Sequence, residues 1–232
     1  MARTKIMIAL LLICSWRVWA ARPLDTDDAG TVERGKTEAA LSFEYCQYRP
    51  DGSCQVPGVA VKHGLTDMLD IGLGFSHSTD RDAEGNTLGW GVSPLEVGLK
   101  FALLKGKEVW PDISISAGFE TGSPEYGMNL ILSREHGPWG VHYNLGYDAS
   151  GEAMVNGSMR TSMAAVYAFS DRVRICGELG GEIMDDGSEV LGNSGLIGGS
   201  VTIGPVDWDL GFRIYDQRGP QTTITTGITA GF

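Results

Sequence analysis

From residue 37 to the C-terminus, apolar residues alternate with polar or small ones in short successive runs. Leu95, Val97, Leu99, Phe101 and Leu103 share one parity, with Glu96, Gly98, Lys100 and Ala102 on the other. Ile113, Ile115, Ala117 and Phe119 oppose Asp112, Ser114, Ser116, Gly118 and Glu120. Val173, Ile175, Leu179 and Ile183 oppose Arg174, Cys176, Glu178, Gly180 and Glu182, and Trp208, Leu210, Phe212 and Ile214 oppose Asp209, Gly211, Arg213 and Tyr215. Successive side chains of a strand point to opposite faces, so a period of two predicts strands with one apolar and one polar face. Twelve are predicted: 37–48, 56–66, 69–79, 94–104, 111–122, 127–136, 140–149, 158–170, 173–184, 195–204, 208–217 and 222–232.

A soluble β-sandwich alternates too, so the connections decide. Beyond the first strand they run short and long by turns. Asp67-Met68, Lys105 to Trp110, Pro138-Trp139, Asp171-Arg172 and Pro205 to Asp207 form the short set; Asp80 to Ser93, Gly151 to Gly157 and Asp185 to Ser194 belong to the long one. Short periplasmic turns and longer external loops are the pattern of a transmembrane up-and-down β-barrel. The fold class predicted is therefore all-β, an antiparallel barrel of about 12 strands over residues 35–232, with both termini periplasmic in the bacterial outer membrane. Aromatic residues collect at strand ends: Trp139, Trp208, Phe101, Phe169 and Phe232 at the short turns, and Tyr45, Phe75, Phe119 and Tyr147 at the other end. Two such rings match the two membrane interfaces. Trp110 belongs to the first ring, although strict alternation aims it inward; Pro111 is expected to break that register. The last strand, Thr222 to Phe232, resembles the closing strand of such barrels, with Gly227 and Phe232 as an insertion signal read by the barrel-assembly machinery.

The N-terminus is of another kind. Arg3 and Lys5 precede an apolar run, Ile6 to Cys14, too short to span a bilayer as a helix, and Val18-Trp19-Ala20 offers a cleavage site. Residues 1–20 are predicted to be a signal peptide, with Cys14 in its apolar core. Residues 21–34 show no period and are predicted to be a periplasmic extension packed beneath the barrel; the Thr26-Asp27-Asp28 cluster leaves ligand binding or closure of the pore open. Removing Arg3, Lys5 and Arg17 with the signal leaves 15 basic against 29 acidic residues, a formal charge of −14. That disfavours nucleic acid and polyanion partners. Cys46 and Cys54 flank a turn-rich stretch on an oxidising export route, so a disulfide between them is expected, and Cys176 is left over as an inert inward-facing residue.

Arg22 to Glu33 with Gly35-Lys36-Thr37-Glu38, the turn Gly64-Leu65-Thr66-Asp67 leading into Met68-Leu69-Asp70-Ile71-Gly72, Leu95 to Phe101, and Ala117 to Gly122 resemble the outer-membrane barrels of the family named for the MetA pathway of phenol degradation. The resemblance covers nearly the whole mature chain. It implies uptake of small molecules, hydrophobic or aromatic compounds among them.

Catalytic chemistry is weakly represented. The histidines are His63, His77, His136 and His142, and no Gly-x-Ser-x-Gly motif accompanies them. Asp80-Arg81-Asp82-Ala83-Glu84-Gly85 opens like a calcium loop, but its twelfth position is Gly91, where a bidentate acid is needed. Asp185-Asp186-Gly187-Ser188-Glu189 is equally incomplete. No metal site, cofactor or enzyme activity is predicted. The inward face is where function is expected, because a charge on the lipid face near the midplane costs about 2–4 kcal/mol. Glu96, Lys100, Arg174, Glu178 and Arg213 are the residues expected to line a constriction. The function predicted is passive uptake of small molecules through a narrow outer-membrane channel. Its partners are outer-membrane lipids, lipopolysaccharide and the solute. A non-conducting structural or interaction barrel is the alternative, and a lipid-modifying enzyme a third reading.

Overall fold

The computed structural model describes residues 23–48, 52–82, 87–106, 109–149, 151, 155–187, 189–216 and 220–232. The predicted signal peptide lies outside the described residues. The strands are β1 (Thr37–Gln47), β2 (Ser53–Thr66), β3 (Leu69–Arg81), β4 (Thr87–Val92), β5 (Glu96–Leu104), β6 (Asp112–Glu120), β7 (Tyr126–His136), β8 (Trp139–Ala149), β9 (Ser158–Ala168), β10 (Val173–Met184), β11 (Val190–Ile203), β12 (Val206–Tyr215) and β13 (Thr222–Gly231). All pairings between them are antiparallel. β1 pairs with both β2 and β13, which closes the sheet. β3 pairs with β2 along its length and with β5 through residues 69–74.

Twelve strands thus form a closed barrel, as the alternation predicts. The thirteenth, β4, lies within Asp80 to Ser93, which the sequence pattern assigns to a long loop. It is a six-residue strand that pairs with the far end of β3, from His77 to Arg81. Its Leu88-Gly89-Trp90-Gly91-Val92 sequence does alternate, but it is too short and glycine-rich to stand out without β3 beside it. β2 and β11 also begin earlier than predicted, at Ser53 and Val190, because their partners extend the hairpins.

Burial is inverted relative to a water-soluble protein. Lys100 is 2% exposed, while its strand neighbours Leu99 and Phe101 are 47% and 41% exposed. On β8, His142 and Asn144 are buried while Trp139, Val141, Tyr143, Leu145 and Tyr147 are exposed. Water on the outside would leave this apolar band unburied and gain nothing from hiding the charges; hydrocarbon outside makes both favourable. A strand of eleven residues, such as β8, reaches roughly 25 Å across a membrane at about 3.3 Å per residue and about 45° of tilt. The fold is that of a bacterial outer-membrane β-barrel. Both expected aromatic rings lie on the exposed face, and Trp110 joins them at 72% exposure, in the turn after the register shift at Ala102 to Leu104.

Residues 23–34 do not pack beneath the barrel. They run inside it, with Leu24, Thr26, Asp27, Ala29 and Val32 buried. The chain leaves the lumen by a turn at Gly35, whose φ is +77°. There Lys36 N donates to Glu33 O and Gly35 N to Gly64 O at 2.9 and 2.8 Å. Gly64 lies so close that a Cβ would meet Glu33 O at 2.2 Å and Val32 O at 2.4 Å. A Gly64→Ala barrel therefore cannot seat this turn unchanged. We expect faster proteolysis at residues 23–34, with the strands still protected; equal cleavage in both proteins would contradict the tight turn.

Cys46 and Cys54 are Cα partners across β1 and β2 and are both buried. Both pack with Val56, and the Tyr48 hydroxyl lies 3.5 Å from Cys54 Sγ. Their placement opposite one another satisfies the register a bridge requires; the S–S bond itself is an oxidation step beyond the fold. Cys176 packs inward with Leu24, Ala164 and Leu196. At the closing seam, Phe232 exchanges backbone hydrogen bonds with Thr37, and Gly227 faces inward opposite Ser42 and Asp209.

Candidate functional site

The lumen wall and the segment threaded through it form one polar network. Segment 23–34 has no strand partner along most of its length, so its backbone groups must find acceptors elsewhere. They find them on inward side chains of the wall. Asp25 N and Thr26 N both donate to Glu178 Oε2, at 2.7 and 2.6 Å. Asp27 N donates to Asn144 Oδ1 at 2.7 Å, and Asn144 Nδ2 returns a bond to Asp27 O at 2.9 Å. Ala29 N donates to Ser133 Oγ at 2.7 Å, while Ser114 Oγ donates to Ala29 O at 2.5 Å. Val32 N donates to Asp70 Oδ2 at 3.0 Å, and Thr26 Oγ1 to Ser162 Oγ at 2.8 Å.

Charge follows the same plan. Lys100 Nζ lies 3.0 Å from Asp27 Oδ2, with both side chains buried. Arg213 is the hub on the opposite wall: one guanidinium nitrogen meets the Asp25 carboxylate and the other lies 2.8 Å from Glu178 Oε1. Asp25, Glu178 and Arg213 thus form a triad in which a wall acid, a wall base and a segment acid share one buried fork. Pro23 sits against β11 and β12, where a Cβ on Gly198 or Gly211 would meet its ring at 2.7 or 2.9 Å. Glycine here makes the space that the proline ring fills.

Of the five residues expected to line a constriction, Lys100, Glu178 and Arg213 are brought together by the segment they hold. Glu96 faces the lumen two inward positions from Lys100, nearer the end away from the termini. Arg174 is elsewhere. It lies at the short-turn end of β10, half-exposed, bonded to Ser200 and Asp207. Its parity is inward, but its position near the strand end puts the long side chain at the rim. Ser114, Ser133, Asn144 and Ser162 were not singled out from the sequence. Inward parity and small polar character were their only signals, and neither shows what they bond to.

A Ser–His pair does exist: Ser133 Oγ lies 2.8 Å from His142 Nδ1. It sits inside the barrel under Ala29, not at a lipid rim, and the serine oxygen already accepts the Ala29 N–H. The pair holds the segment. Of the two calcium-like loops, residues 83–86 of the first lie outside the described residues. In the second, Asp185 accepts from the Tyr147 hydroxyl and Asp186 from Asn156 Nδ2. Among the described residues no group of three or more His, Cys, Asp or Glu is placed to hold a metal ion.

No protein-family model matches the chain, and no curated protein matches it. Solved structures do. The COG4313 outer membrane channel from Pseudomonas putida F1 has a TM-score of 0.66 and 11% identity, over 90% of this chain and 100% of that one. The NanC porin has a TM-score of 0.59 and 8% identity, over 84% and 98%. The β domain of the Bordetella autotransporter BrkA has a TM-score of 0.54 and 13% identity, over 86% and 100%. At such identities the likeness is one of fold.

Proposed function

We propose that this protein is a narrow outer-membrane channel for passive uptake of small molecules, closed at rest by its own residues 23–34. The observation that carries the reading is the wall behind the segment. Lys100, Asp70, Glu178, Arg213, Ser114, Ser133, Asn144 and Ser162 are groups that water can solvate, and only non-covalent bonds hold the segment over them. Once the segment leaves, what remains is a hydrated polar path. A purely structural barrel has no need of such a wall, since apolar side chains fill a lumen without desolvation cost. The channel and porin among the similar folds agree with this reading. An aromatic solute rests on the family resemblance alone; carboxylates, hydroxyls and amides suit small hydrophilic solutes, cations before anions. On the same reading the outward face contacts outer-membrane lipid and lipopolysaccharide, β13 is offered to the assembly machinery, and both termini are periplasmic.

The reading that the barrel never conducts has one observation in its favour: the charges of Asp25 and Asp27 are matched by Arg213 and Lys100. Planar-bilayer recording on the refolded mature chain separates the two. The channel reading expects brief, cation-preferring openings from a closed baseline, and slow solute entry into proteoliposomes. A silent membrane, with the segment present and with it removed, rejects the channel.

A further inference from the structure

We propose that Glu96 and Glu120 form a cation-binding site on the lumen wall, taking a hydrated divalent ion such as Ca²⁺. The two residues are direct Cα partners, the last pair of the β5–β6 ladder at the end away from the termini. Both side chains face inward and are nearly enclosed, at 6% and 5% exposure. The Oε1 atom of each is buried and has no hydrogen-bond partner.

Three other buried lumen acids each have a cation or a backbone amide on at least one oxygen, although Asp70 Oδ1 is unpartnered too. Asp27 has Lys100, Glu178 has Arg213 and two backbone amides, and Asp70 has the Val32 amide. No ion pair among the described residues holds Glu96 or Glu120. Two enclosed carboxylates facing each other across a ladder repel, and neither oxygen has protein to turn to. A positive charge between them resolves both problems at once.

The chemistry selects the ion. Carboxylate oxygens are hard ligands suited to Ca²⁺ or Mg²⁺, and two carboxylates supply up to four oxygens. Neighbouring positions leave room for its waters. Gly74 stands opposite Glu96 on β3, and Gly98, Gly118 and Gly127 lie side by side one inward position below. With two protein ligands and water completing the shell, affinity resembles that of weak extracellular sites, a Kd of about 0.1–1 mM. Ca²⁺ tolerates such irregular shells better than Mg²⁺. The site rests on the wall alone and stands whether or not the barrel conducts.

The test is calorimetric titration of Ca²⁺ into the detergent-folded mature chain at neutral pH, with thermal unfolding followed in parallel. The expected result is one saturable site. Glu96→Gln or Glu120→Gln should weaken it at least tenfold, the double variant should abolish it, and loop variant Asp185→Asn should leave it intact. Stability should cross over: in chelator the glutamine variants, freed of repulsion, unfold at higher temperature than the native chain, and with Ca²⁺ the order reverses. Heat-modifiable gel migration confirms that each variant is a barrel. No saturable site in the native chain, the result a proton shared by the two carboxyls would give, overturns the proposal. So does equal Ca²⁺ binding by the native and double-variant barrels.

Discussion

Barrels lacking residues 23–34 will conduct steadily where the intact chain is almost silent. The segment fills the lumen between Lys100 on one wall and Arg213 on the other, and it carries none of the sheet's ladder apart from the single bridge at Arg34 and Gly64. Removing it leaves the twelve-strand closure untouched, because β1 begins at Thr37 and pairs with β13 from Glu38. Heat-modifiable migration should therefore persist while conductance rises. A peptide spanning residues 23–34 should restore closure only at high concentration. The tethered segment acts at an effective concentration in the millimolar range, which a free peptide must match. Silence in the shortened barrel, with the fold verified, would mean the wall closes without help and would favour the structural reading.

Arg213→Ala carries the second large effect. Its side chain is 3% exposed, and its guanidinium serves both Glu178 and Asp25. Truncation strips two acids of the cation they share, and removing one partner of a buried pair costs about 3–5 kcal/mol. Spent on the closed state, that raises the open fraction by roughly 10² or more. Arg213→Lys should recover only part of the closure, since an ammonium offers a point charge where a fork is bonded on two sides. The readout is open probability in bilayers. An unchanged value in Arg213→Ala would remove the triad from the closing mechanism.

The strand pattern was legible because each strand carries its own evidence. Val141, Tyr143, Leu145 and Tyr147 set against His142, Asn144 and Gly146 declare two solvents without reference to any other part of the chain. The aromatic residues at strand ends add the membrane's height. β4 escaped because Gly89 and Gly91 remove half of its alternation. Among site residues, the charges of Lys100, Glu178 and Arg213 stood out as groups that lipid would reject, although Arg174 carried the same mark and lies at the rim.

What the sequence determined alone is the barrel, since alternation is local and its cause, a polar lumen within an apolar solvent, acts on each strand separately. What only the tertiary structure decided is the occupant of that lumen. Residues 23–34 have no period because they bond to side chains, not to a ladder. Their partners lie far off in the chain, Glu178 at 153 positions from Asp25, and only closure of the sheet brings Glu178, Asn144 and Ser133 around them. The opposition of Glu96 and Glu120 has the same origin, for it depends on the register between two strands that no single strand encodes.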